Sequence, residues 1–225
     1  MGAYISYKSL LDQAEIRSYF AVPANTSAPA VIMLRGVAGP DDGYTKIADQ
    51  LAGHGYAALV HKWQVRGNDP TDAQMLADIR GAIKFLKTHS GVDASRIAVF
   101  GYCKGGGMAV LAAAEFSELK AIVSFHGFAR RTQPLDESHA TNPIDVVDRL
   151  KRSVMILHGE ADDVSPIGNM REMAEKMRAA DCPVEFVAYP GAKHGFAVST
   201  HAGYLASASD ESFAKAVGFL STCAR

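Results

Sequence analysis

Cysteine is scarce. The 225-residue chain has three (Cys103, Cys182 and Cys223), widely and unevenly spaced, with no Cys-x-x-Cys pair. An odd, irregular set argues against a disulfide framework, and no structural zinc site is expected without paired cysteines. Reduced thiols suit a cytoplasmic location. Charge of one sign is also lacking: 23 Lys and Arg face 24 Asp and Glu, for a formal net charge of −1. No basic field exists to recruit nucleic acid or an anionic membrane, so neither is an expected partner. No apolar run reaches the roughly 18 residues of a membrane span. The first residues lack a basic region, apolar run and cleavage site, so no signal peptide is expected. Asn25-Thr26-Ser27 matches a glycosylation sequon, and Met1-Gly2 with Ser6 a myristoylation pattern; both read as chance matches. Low-complexity segments, repeats and long linkers are absent. Gly105-Gly106-Gly107 follows a lysine, but no phosphate-loop or dinucleotide fingerprint is present, so close packing is the better reading of these glycines.

What remains is an ordinary globular composition, 48% hydrophobic and 21% charged. The length suits one domain spanning residues 1–225. Strand and helix patterns alternate. Short apolar or alternating runs predict strands at 3–7, 15–21, 29–34, 56–61, 96–100, 120–125, 153–158 and 183–188. Helical periodicity predicts helices near 43–54, 71–89, 104–115, 168–180 and 208–222. Apolar, β-branched strands alternating with helices imply a mostly parallel, doubly wound α/β sheet buried on both faces. Functional groups in such sheets lie just past the carboxyl ends of the strands. Five turns therefore matter: 35–40, 62–68, 101–106, 159–166 and 190–198.

One of these turns carries a nucleophile pattern. Gly101-Tyr102-Cys103-Lys104-Gly105 follows a predicted strand, opens a predicted helix, and has the G-x-nucleophile-x-G form with cysteine in the serine position. The glycines leave room for a tight strand-to-helix turn that exposes the sulfur near a helix N-terminus. A thiol needs a base to become a good nucleophile, and the base needs an orienting group. His194 follows the last predicted strand and a Pro-Gly turn. Asp162 follows the strand before it, with Glu160 and Asp163 as competitors. Nucleophile, acid and base then run in the chain order of an α/β-hydrolase. Two backbone N–H groups should hold a developing oxyanion, one from Lys104 and one from Val37 in the 35–38 turn. His126, at the end of the 120–125 strand, is a candidate substrate contact, whereas His158 reads as packing and Cys182 and Cys223 as structural.

These residues resemble the dienelactone hydrolase family of α/β-hydrolases, over roughly residues 15–221. The most specific stretches are Gly101-Tyr102-Cys103-Lys104-Gly105-Gly106, Gly159-Glu160-Ala161-Asp162 with Pro166 downstream, and Ala192-Lys193-His194-Gly195-Phe196-Ala197. The resemblance implies an α/β-hydrolase fold without a large lid domain. It also implies a Cys103–His194–Asp162 triad, with Asp162 preferred over its competitors, and hydrolysis of a cyclic enol ester with no metal and no organic cofactor. Two positions depart from the family. Gly36 stands where a glutamate is usual, and Val198 where an arginine helps hold a substrate carboxylate. Arg66 matches a second such arginine. Arg35 and Lys104 are expected to supply cationic character near Cys103, with Arg35 also a candidate clamp for a substrate carboxylate. The expected partner is a small ester or lactone, and the expected state a monomer or weak homodimer. The rival readings are a broad carboxylesterase or thioesterase on the same residues, and a hydrolase-fold protein that binds a ligand without turnover.

Overall fold

A computed structural model describes residues 1–24, 27–37, 41–67 and 69–223. The sequon residues Asn25 and Thr26, and Gly39 of the glycine-bearing turn, lie outside the described residues. Eight strands form one sheet: β1 (Ala3–Lys8), β2 (Glu15–Ala21), β3 (Ala28–Leu34), β4 (Ala57–His61), β5 (Val92–Tyr102), β6 (Leu119–Phe125), β7 (Ser153–Gly159) and β8 (Val184–Tyr189). Their spatial order is β1-β2-β4-β3-β5-β6-β7-β8. The β1–β2 and β2–β4 pairings are antiparallel, and every pairing from β4 to β8 is parallel.

Five helices cover the sheet: α1 (Asp42–Gly53), α2 (Asp72–Thr88), α3 (Lys104–Glu115), α4 (Ile167–Ala179) and α5 (Ala206–Cys223). Successive strand residues point to opposite faces, so β3 feeds two cores. Ala30, Ile32 and Leu34 pack with α2, α3 and α4, while Val31 and Met33 pack with α1 and α5. Burial on both faces is why the central strands carry no polar alternation. The start of α2 is fixed by a capping box, in which Thr71 Oγ1 accepts from the Gln74 N–H and Gln74 Oε1 accepts from the Thr71 N–H.

Two features depart from the sequence expectation. Strand β5 begins at Val92, ahead of a register shift at Ile97/Ala98, because Val92 and Asp93 add to β3 through Ala28 and Pro29. Two short 3-10 helices also occur, at Trp63–Arg66 and Pro143–Arg149. The second follows a loop at 126–142, and together they fill the β6–β7 connection without an inserted lid domain. No helix among the described residues is long and apolar enough to cross a membrane.

Candidate active site

Cys103 sits between β5 and α3 with φ 54° and ψ −122°. That left-handed conformation costs an L residue on the order of 1–3 kcal/mol, and neighbouring contacts hold it. The Cys103 N–H donates to the Phe125 carbonyl at 3.1 Å, and the Gly106 N–H to the Cys103 carbonyl at 2.8 Å. Tyr102 stacks on Phe125 with ring centroids 4.5 Å apart. A Cβ at Gly101 would collide with the Gly105 backbone, and one at Gly105 with the Leu34 carbonyl. The two glycines therefore let strand, turn and helix approach closely enough to present the sulfur. Cys103 opens onto a cavity of about 700 Å³.

His194 reaches the same cavity from the turn after β8. Its Nδ1–H donates to Asp162 Oδ2 at 2.9 Å. Because Nδ1 must carry the proton to make that bond, Nε2 is the basic nitrogen of the neutral ring. Nε2 is buried and makes no hydrogen bond of good geometry, yet the Cys103 sulfur is near enough to act on it electrostatically. Burial works against a charged imidazole, but the Asp162 hydrogen bond and the Cys103 sulfur outweigh it and push His194 up to about 9.

Asp162 lies just past β7 and is itself fixed. Its Oδ1 accepts the Val164 N–H at 3.0 Å and the Ser165 N–H at 2.8 Å. Burial raises its carboxyl, but the His194 and Ser165 hydrogen bonds prevail and leave it below its ordinary value. The competitors Glu160 and Asp163 are exposed. His158, expected only to pack, has a further part. Its Nε2–H donates to the Ser165 carbonyl at 2.7 Å and lies 3.5 Å from Asp162 Oδ2. Burial pushes this imidazole down, so it supports the Ser165 turn as a neutral donor.

The remaining candidates divide. Val37 and Lys104 line the cavity. As the first residue of α3, Lys104 has an N–H with no acceptor inside its helix. Gly36 touches the site through its backbone. Its N–H donates to Tyr44 Oη at 3.0 Å, and a Cβ there would lie 2.9 Å from Cys103 Cβ. That crowding leaves room only for glycine at this position without a local shift. Val198 is fully buried in the core against α1 and α5, with no cation in its place.

The structure places Arg35, Arg66 and His126, expected as substrate contacts, outside the residues that line the cavity. The buried Arg35 guanidinium pairs with Asp41 and lies over the Tyr44 ring at 5.0 Å. Arg66 bonds Asp78 at 2.6 Å and Asp12 at 2.5 Å. In this arrangement both guanidiniums are held in ion pairs. His126 lies behind His194, edge-on with centroids 5.0 Å apart, and fully buried. Burial and the neighbouring imidazoles hold it neutral, so it supports the His194 ring and does not face the cavity. Sequence reasoning missed His201 and the 128–139 segment, both of which border the cavity.

The family model of the dienelactone hydrolases matches residues 16–224. A Methylorubrum extorquens protein named "Putative carboxymethylenebutenolidase" is 30% identical over 207 residues, covering 84% of this chain and 69% of its own. The crystal structure of a "Putative Dienelactone Hydrolase" from Klebsiella pneumoniae superimposes with a TM-score of 0.86 at 26% identity, covering 97% of this chain and 99% of that one. Thermogutta terrifontis esterase 2, phosphorylated by paraoxon, gives a TM-score of 0.81 at 25% identity, with 98% and 94% covered. With the eight-stranded sheet, the strained turn at Cys103 and a family match over nearly its whole length, the chain belongs to the dienelactone hydrolase family of α/β-hydrolases.

Proposed function

We propose that the protein hydrolyses carboxylic esters or lactones through an acyl-thioester on Cys103, with His194 as the proton carrier and Asp162 as its orienting acid. The observation that carries this reading is the convergence of three strand ends, two of them on one cavity and the third on the His194 ring. Cys103 follows β5, Asp162 follows β7 and His194 follows β8, and the His194–Asp162 bond leaves Nε2 free to serve the sulfur. The names of the relatives support the ester and lactone class.

The cycle has two halves. His194 Nε2 takes the Cys103 proton, and the thiolate attacks the carbonyl carbon. The oxyanion is held by the Lys104 and Val37 N–H groups. As the C–O bond breaks, the departing oxygen takes the proton from His194, and the acyl group stays on sulfur. Water then gives a proton to His194 and attacks the thioester. The C–S bond breaks, the acid leaves, and the thiolate re-forms. Asp162 stays ionised throughout and stabilises the imidazolium.

Steady-state kinetics of a Cys103→Ala variant test the proposal. Hydrolysis of activated esters and enol lactones is expected to fall by at least about 10³-fold, with the fold intact by circular dichroism. Retention of the parental rate overturns it.

A further inference from the structure

We infer that the cavity selects uncharged substrates with an extended apolar acyl chain and rejects acyl groups that end in a carboxylate, an inference that rests on the Cys103 hydrolase reading.

The shape supplies the first half. Lys104, Gly107, Met108 and Leu111 all line the cavity, and their three- and four-residue spacing makes them one stripe of α3. The stripe leads away from the nucleophile for roughly 12 Å, at 1.5 Å per residue. Gly107 lets α3 pack closely under the 128–143 segment at this point, since a Cβ there would lie 3.0 Å from the Phe128 carbonyl and Pro143 Cγ. Leu135 and Pro143 also line the cavity, and the exposed Val37, Leu135 and Val164 give its border an apolar character. The leaving group must depart beside His194, which protonates it. The track along α3 therefore receives the acyl group.

Charge supplies the second half. The lysine and arginine lining the cavity are already paired. Lys104 Nζ lies 2.5 Å from Asp69 Oδ1 and 5.1 Å from the Trp63 ring centre. Arg131 bonds Asp72 at 2.5 Å and the Thr141 carbonyl at 3.1 Å. Asp69 and Asp136 both face the cavity, with His139 3.4 Å from the first and 3.6 Å from the second. A substrate carboxylate would have to displace an existing ion pair and approach two carboxylates, whereas an alkyl chain meets no such cost.

The test uses p-nitrophenyl acetate, butanoate and hexanoate, the mono-p-nitrophenyl ester of adipic acid, and the parent, Cys103→Ala and Asp69→Asn proteins. Among the uncharged esters kcat/KM is expected to rise about two- to four-fold per methylene. The adipate ester is expected to be at least tenfold poorer than the hexanoate, although its acyl chain has the same number of carbons. Asp69 is exposed, and Asp69→Asn unpairs Lys104, so the adipate-to-hexanoate ratio is expected to rise severalfold. Cys103-dependent turnover with acetate best, with adipate equal to hexanoate, or with a ratio unmoved by Asp69→Asn overturns the selectivity and leaves the hydrolase reading standing. Absence of Cys103-dependent turnover on every ester overturns that reading and the selectivity with it.

Discussion

At residue scale the site depends on how few options each group has. Asp162 spends one oxygen on two backbone N–H groups and the other on His194, so neither carboxylate nor imidazole turns freely. Replacing Asp162 with Asn removes the charge that favours imidazolium and lets the wrong tautomer form. We expect kcat to fall by about 10²- to 10⁴-fold. The sign of the pH effect follows from the same charge. His194 is pushed up to about 9 in the parent, so proton delivery to an unactivated alkyl leaving group should fail as pH rises through that value. Without the carboxylate the imidazolium is less stable, so the same decline should begin at lower pH. The pH dependence of kcat on an alkyl ester reads both; a limb that stays in place in Asp162→Asn would separate the carboxylate from the titration.

At the scale of elements, glycine decides where backbone meets backbone. A Cβ at Gly105 would press on the Leu34 carbonyl, whereas one at Gly218 in α5 meets open space. Gly105→Ala should therefore destabilise by about 1–3 kcal/mol and depress activity by shifting the start of α3. Gly218→Ala should stabilise by up to about 1 kcal/mol with activity unchanged. Paired thermal unfolding and kinetics check both. Steric rules of this local kind are why the turn at Cys103 was legible in the sequence: glycines two residues either side of a nucleophile, between a strand and a helix, permit few structures. The meeting of Asp162 with His194 was legible because the topology brings consecutive strand ends together. Arg35 and Arg66 were not, because a guanidinium follows its carboxylate partner, and Asp41, Asp78 and Asp12 are distant or ambiguous in sequence. The 126–142 loop has no periodicity. Its placement rests on long-range bonds, such as the Asp72 N–H to the Ser138 carbonyl at 2.9 Å.

For the whole molecule, two hydrophobic cores on opposite faces of one sheet fix the strand ends that carry the site. Remote polar joints hold the periphery. Asp78 is fully buried and Arg66 nearly so, and their ion pair joins α2 to the 3-10 turn at Trp63–Arg66, with Asp12 tying in the β1–β2 connection. Arg66→Ala leaves the Asp78 charge without its partner and should cost about 3–5 kcal/mol in denaturant unfolding, while the folded fraction keeps the parental KM. A large change in KM would mean that Arg66 reaches substrate after all. The central claim is that acyl transfer passes through sulfur at the carboxyl edge of this sheet. Rapid acid quench of the enzyme mixed with excess p-nitrophenyl hexanoate, followed by peptide mass spectrometry, tests it most directly. The account predicts a hexanoyl group on Cys103 in the parent and none on that peptide in Cys103→Ala. Turnover with no acyl group on Cys103 at any quench time, or with the group on another residue, would contradict it.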